Sequence, residues 1–84
     1  MHSITDLASL IKETRALRQL PSPEERRNIR LEAGISQQEL AAALGASRVT
    51  LSRWETGTRR PRGEMAIRYA RALERLIKLN EETS

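Results

Sequence analysis

Residues 35–57 read ISQQELAAALGASRVTLSRWETG, and their spacing decides the fold. Ser36, with Glu39 three residues later, is a capping-box pattern. The serine hydroxyl accepts from a free N–H at the helix start, and the glutamate reaches back to the serine amide. Leu40 and Leu44 then fall on one helical face at i, i+4 spacing. Gly45 tolerates the left-handed backbone on which helices commonly end. Ser47 caps a second helix, Leu51 and Trp54 form its apolar face, and Gly57 ends it. Two helices of about eight residues joined by a turn of about three make a helix-turn-helix unit.

Upstream, residues 3–20 predict a first helix. Ser3 is its cap, with Asp6 three residues on. Ile4, Leu7, Ala8 and Ile11 form one apolar stripe, and Leu10 and Leu17 a second flank, with Lys12, Arg15 and Arg18 facing elsewhere. The stripe can pack on the last helix of the same chain or on its copy in a second chain, because either partner buries the same side chains. Pro21 and Pro23 end this helix, since proline cannot continue a helix and disfavours helical geometry in the residue before it. The next helix takes Ser22 as cap, Pro23 as first helical residue and Glu25 to close a second capping box. It runs to about Ala33 and stops at Gly34, with Ile29 and Ala33 toward the core and Arg26 and Arg27 outside.

Downstream of Gly57, the basic loop Thr-Arg-Arg-Pro-Arg-Gly leads into a last helix over about residues 64–79. Ala66, Tyr69, Ala70, Leu73, Leu76 and Ile77 recur at helical spacing and face the core, with Met65 and Leu79 at its edge. Arg68, Arg71, Arg75 and Lys78 mark the outer face. The Tyr69 hydroxyl is expected near the surface, and residues 80–84 are expected to fray as a polar tail. The organisation is therefore an N-terminal helix extension over 1–21, a helix-turn-helix domain over 22–80 and a polar tail over 81–84.

Eighty-four residues make one small domain, which buries roughly 60% of its unfolded surface. Alternating strand patterns are lacking and Leu and Ala are plentiful, so the class is all-α. The absence of cysteine excludes disulfides and thiolate metal sites. The longest apolar run, residues 40–44, is far short of a membrane span, and no signal-peptide pattern opens the chain, so a cytoplasmic location and no membrane are expected. His2 is the only histidine, and no phosphate loop, dinucleotide fingerprint or zinc-protease motif is present. Catalytic residues, metal ligands and cofactors are accordingly not expected.

Charge is more informative. The net value is +4, and residues 46–63 alone carry Arg48, Arg53, Arg59, Arg60 and Arg62 against Glu55. The ten basic and ten acidic residues elsewhere cancel. The excess sits on the second helix of the motif and the loop after it. This is either a solvated basic surface or the electrostatic footprint of a nucleic-acid binder.

Arg30, the run AGISQQELAAALGAS and the run LSRWETGTRRP resemble the XRE/Cro family of helix-turn-helix regulators, which includes phage repressors and Cro proteins. Ser36-Gln37, Glu39-Leu40-Ala41, Gly45, Glu55-Thr56-Gly57 and Pro61 agree at family spacings, and the resemblance covers about residues 23–76. It implies a lambda repressor-like bundle of about five helices, counting the additional N-terminal one, that binds operator DNA as a dimer. Two features depart from the family pattern. Residues 1–21 precede the usual first helix, and Ala46 stands where a larger apolar residue is favoured.

Arg48, Val49, Ser52 and Arg53 share one face of the second motif helix, opposite Leu51 and Trp54. The resemblance puts Arg48, Val49 and Arg53 on base-reading positions of a recognition helix over about 48–56. Arginine bonds bidentately to guanine, and valine meets a thymine methyl. Ser52 contacts a base, the backbone or neither. The plainer reading is a solvated helix face, on which Val49 lacks an evident purpose. Gln37, by resemblance, bonds a phosphate or a base-reading side chain, or is simply an exposed helix former. Ser47 is first an N-cap and second a phosphate ligand, and Thr50 contacts phosphate or packs. Arg59, Arg60 and Arg62 stand where the family commonly contacts the DNA backbone. Arg30 and Glu55 correspond to a family ion pair that ties the helix before the motif to the end of the recognition helix. Trp54, on the Leu51 face, is core rather than a base-stacking platform.

The expectation is a sequence-specific regulator on a double-stranded DNA operator, acting as a homodimer on a palindromic site. A second reading is the antitoxin of a toxin–antitoxin pair, with residues 3–20 as the surface for the protein partner. A third is an interaction domain that keeps the fold without DNA binding. The excess of arginine over lysine is consistent with a bacterial or phage origin, hence with a nucleoid-associated protein in a bacterial or phage-infected cell.

Overall fold

The computed structural model describes residues 4–83, with side chains from Asp6 onward. Five helices and no strand occur among these residues: α1 Ile4–Gln19, α2 Pro23–Glu32, α3 Gln37–Leu44, α4 Arg48–Thr56 and α5 Gly63–Glu82. His2, the proposed cap Ser3, the Ile4 side chain and Ser84 lie outside the described residues.

The motif helices begin on their serines. Glu39 N–H donates to Ser36 Oγ at 3.0 Å and Ser36 N–H donates to the Glu39 carboxylate at 2.9 Å, a complete capping box. Ser47 Oγ accepts from Thr50 N–H at 3.0 Å. At α2 the box is only half made. Ser22 Oγ accepts from Glu25 N–H, but the Glu25 carboxylate takes the Ser22 hydroxyl proton instead of its amide. The turn between α3 and α4 is closed by Gly45 in left-handed geometry, φ 78°, with Ala46 N–H to Ala41 O at 2.9 Å and Gly45 N–H to Ala42 O at 3.2 Å. This paired pattern satisfies the last carbonyls of α3 without a larger side chain at Ala46.

The core joins Leu40, Ala41 and Leu44 of α3, Leu51 and Trp54 of α4, and Tyr69, Leu73 and Leu76 of α5. The Trp54 and Tyr69 ring centroids lie 5.0 Å apart in a tilted arrangement, a favourable aromatic geometry. A second, smaller cluster is built from Ala16 of α1 and Ala66 and Ala70 of α5, flanked by Leu17, Leu20 and Ile67. Alanines there let the two helices approach closely. Glu13 meets Gly63 while Gln19 and Glu74 line one cleft, so α1 and α5 run in the same direction.

The α1 face therefore differs from the expected stripe. Its C-terminal half packs on α5 within the chain, whereas Leu7, Ala8, Leu10 and Ile11 are exposed. Leu10 borders a cleft with Gly63, Glu64 and Ile67, whereas Leu7 and Ile11 lie on the side of α1 away from the Ala16 contact with α5. The molecule is elongated, 46 Å along its longest axis, against about 30 Å for a 20-residue helix.

Three other positions depart from the sequence reading. Arg26 is half-buried rather than outside. Its Nε donates to Pro21 O at 2.8 Å, its Nη1 donates to Trp54 O at 3.3 Å, and its guanidinium lies 5.8 Å from the Tyr69 ring centroid. Helix α5 continues to Glu82 instead of fraying at residue 80. Asn80 is buried and its Nδ2 donates to Ile29 O at 3.2 Å, which fastens the last turn of α5 to α2. Tyr69 is fully buried, and its hydroxyl finds no hydrogen-bond partner among the described residues.

Burial pushes the Tyr69 hydroxyl up to about 12, with the Arg26 charge opposing. The unfolded chain ionises its tyrosine near 10, so it releases the proton first as pH rises. Stability should be intact below pH 10 and fall by about 1.4 kcal/mol per pH unit between about 10 and 12. Tyr69 is the only tyrosine, so absorbance titration reads it directly. Ionisation of the folded chain near pH 10 would contradict the burial argument. Tyr69→Phe should leave stability unchanged or raise it by about 1 kcal/mol, because it deletes an unsatisfied buried group.

Candidate nucleic-acid interface

Helix α4 has two sharply different sides. Leu51, Trp54 and Glu55 are buried, while Arg48, Val49 and Arg53 are exposed and Ser52 is half-exposed. Val49 shows 51% of its surface. An apolar side chain between two arginines on an open helix face gains nothing from the core.

Beyond α4 the chain turns at Gly57, φ 78°, where a Cβ would stand 3.3 Å from the Pro23 side chain. The left-handed backbone favours glycine there, and a side chain would also crowd Pro23 at the start of α2. The loop that follows carries Arg59, Arg60 and Arg62 outward and buries Pro61. Together with Thr50, Arg53, Trp54 and Met65 these residues line an open cleft of about 370 Å³ along the α4 flank. None of the arginines at 48, 53, 59, 60 and 62 has an ion-pair partner among the described residues. Their charge is therefore available to an anion.

Ser47 and Thr50 are already bonded to each other. Ser47 Oγ accepts from the Thr50 amide and donates its proton to Thr50 Oγ1 at 2.9 Å. Ser47 is thus spent as a cap, whereas the Thr50 hydroxyl keeps its own proton for an acceptor in the cleft. Gln37, the first residue of α3, is half-buried, and its Nε2 donates to Glu55 Oε1 at 3.0 Å. A phosphate approaching Gln37 meets its backbone N–H at the helix start or its second amide proton.

Glu55 is the centre of a buried polar node. Arg30 Nε donates to Glu55 Oε2 at 2.6 Å and Nη2 to Oε1 at 2.9 Å, while Nη1 donates to Ile35 O at 2.9 Å. The side chains of Arg30 and Glu55 are only 7% and 1% exposed. Burial alone raises a carboxylate's affinity for protons. Here the bonds from Arg30 and Gln37, with the charges of Arg30 and Arg27, outweigh it and hold Glu55 below its ordinary value. Arg30 is held above its own, chiefly by the bond to Glu55. The pair joins α2 to the end of α4, and Gln37 adds the start of α3. Arg26, bonded to the Trp54 carbonyl, braces the same end of α4. Sequence reasoning missed Arg26 because nothing local to it announces a partner 28 positions away.

A helix-turn-helix family model matches residues 27–78, more than half of the chain. The chain belongs to the XRE/Cro-type helix-turn-helix family. Neither a curated protein nor a solved structure matches it. As a member of that family it is a DNA-binding transcription regulator, and α4 is the second helix of its motif. The match leaves α1 outside it. No helix among the described residues is long and apolar enough to cross a membrane.

The buried pair sets two measurable expectations. Removing one partner leaves an unpaired buried charge, so Arg30→Met or Glu55→Leu alone should cost about 3–5 kcal/mol, and the double substitution clearly less than their sum. Additive losses in chemical denaturation would disprove the coupling. The lowered proton affinity of Glu55 also has a sign. Its contribution is complete above about 4.5, the ordinary value, and is lost as pH falls through that of the folded state. Relative to the wild type, the Arg30→Met, Glu55→Leu double variant should show a flatter acid limb in the stability profile.

Proposed function

We propose that this regulator reads a specific double-stranded DNA operator through the outward face of α4, as a homodimer on a palindromic site and in the manner of a repressor. The observation that carries the reading is the α4 face itself. Arg48, Val49 and Arg53 are exposed together and continuous with a cleft of unpaired arginines, while the opposite side is buried in the core. Arg48 and Arg53 supply bidentate donors to guanine, Val49 an apolar contact to a thymine methyl, and Ser52 a shorter polar contact. Thr50, Arg59, Arg60 and Arg62 hold phosphates. Gln37 contributes the free N–H at the start of α3, and Ser47 stabilises the helix that they flank. Phosphate contacts set the register of α4, and its side chains then discriminate bases.

A second reading is favoured by Leu7, Leu10 and Ile11, which are 56%, 49% and 44% exposed on α1. An antitoxin binds a toxin as well as its own operator, and this face of α1 is the surface for such a partner. Copurification of a small protein with the full chain, abolished by Leu7→Ser and Leu10→Ser, supports that reading.

Selection of bound duplexes from a random pool tests the main proposal. The wild-type chain should enrich an inverted repeat with half-sites about 10 base pairs apart. The Arg48→Ala, Arg53→Ala double variant should lose the enrichment while keeping salt-sensitive binding through the loop. Enrichment of the same sequence by both proteins would remove α4 as the reading element.

A further inference from the structure

The basic loop after α4 is held from behind by the helix that the family match leaves out. Pro61 is the buried residue of that loop, and it lines one cleft with Thr14 and Leu17 of α1 and with Leu20 just after it. The loop ends at Gly63, whose backbone is left-handed at φ 57°. Arg62, in the N-cap position of α5, makes no side-chain cap bond. The first N–H groups of a helix lack partners within the helix. At α5 the partner comes from fifty positions away: Gly63 N–H donates to the Glu13 carboxylate of α1. A carboxylate is also the right charge for the positive end of a helix.

We infer that Glu13 is a positioning residue for DNA-backbone binding. It pins Gly63, and with it the trailing end of the loop, so that Arg59, Arg60 and Arg62 are presented to phosphate. The inference rests on the reading of this loop as a phosphate-binding element. The loop has a fixed point at each end. Gly57 is seated against Pro23, and Gly63 is bonded to Glu13. Without the second anchor the arginines keep their charge but lose their shared direction, and each contact must then order the loop as it forms.

Electrostatics gives this role a distinctive sign. A carboxylate beside a phosphate-binding loop repels DNA, so deleting a passive Glu13 strengthens binding. Deleting a positioning Glu13 weakens it. Glutamine separates the two effects, because it removes the charge and keeps an oxygen able to accept from Gly63 N–H.

The test uses the full chain and a mixed-sequence duplex of about 30 base pairs, titrated between about 50 and 200 mM salt. Glu13→Ala should bind about 3- to 10-fold more weakly, with the slope of log affinity against log salt shallower by about one phosphate contact. Glu13→Gln should bind as tightly as the wild type or more tightly. Arg59→Ala with Arg60→Ala is the reference and should also flatten the slope. Flattening by that reference with wild-type or tighter binding by Glu13→Ala overturns the positioning role alone. No flattening by the reference overturns the phosphate reading of the loop, and the inference with it. Amide exchange of the unsubstituted chain gives an independent measure that does not depend on a variant folding. The Gly63 amide should be protected, and exchange at the rate of an open loop overturns the inference.

Discussion

Arg30 and Glu55 lie 25 positions apart on different helices, and each is buried with the other as its counter-charge. Taking two charges out of water is costly, and their attraction offsets that cost only in good geometry with further hydrogen bonds to the remaining polar atoms. The node meets that condition. All three guanidinium nitrogens of Arg30 are donors in hydrogen bonds, and Glu55 accepts from Arg30 twice and from Gln37 once. Any shift of α4 against α2 or α3 would break bonds that water cannot replace. The apolar core is small and non-directional, whereas these bonds are directional. The direction in which α4 presents its outer face therefore depends on them.

The same logic divides the arginines into two populations. Arg26 and Arg30 are committed to carbonyls and a carboxylate inside the fold, and they orient α4 without being available to an outside anion. Arg48, Arg53, Arg59, Arg60 and Arg62 are exposed on α4 and its following loop. Composition counts them alike. Physically, the first group sets the orientation of α4, from which Arg48 and Arg53 project.

Helix α1 shows how a helix can be added to a compact unit at little expense of core. Small side chains at Ala16, Ala66 and Ala70 allow close contact with α5, and Glu13 supplies a polar anchor at the α5 start. The rest of α1 extends outward with leucine and isoleucine in solvent. An exposed row of three large apolar residues on one helix is the kind of feature that marks a contact surface.

Much of the architecture was legible from local chemistry. The serine caps, the glycine stops, the prolines before α2 and the i, i+4 apolar spacings act within a few residues, so they define the five helices and the turn of the motif without reference to anything distant. The α5 core positions Ala66, Tyr69, Ala70, Leu73 and Leu76 followed from periodicity for the same reason. The family pattern supplied Arg30 and Glu55 as candidates to meet, which spacing alone could not. What only the tertiary structure decided are the pairings between distant segments. These include Arg26 on the Trp54 carbonyl, Glu13 on Gly63, Asn80 on Ile29 and Gln37 on Glu55. A polar side chain reads the same in sequence whether it faces water or a carbonyl fifty residues away. An apolar stripe shows that something covers it without showing what. The stripe of α1 illustrates this, because Leu7, Ala8, Leu10 and Ile11 stay exposed while the contact with α5 runs through Ala16 and Leu17. Helix formation rests on short-range bonds that each segment carries within itself. The placement of side chains against one another arises only once the helices are brought together.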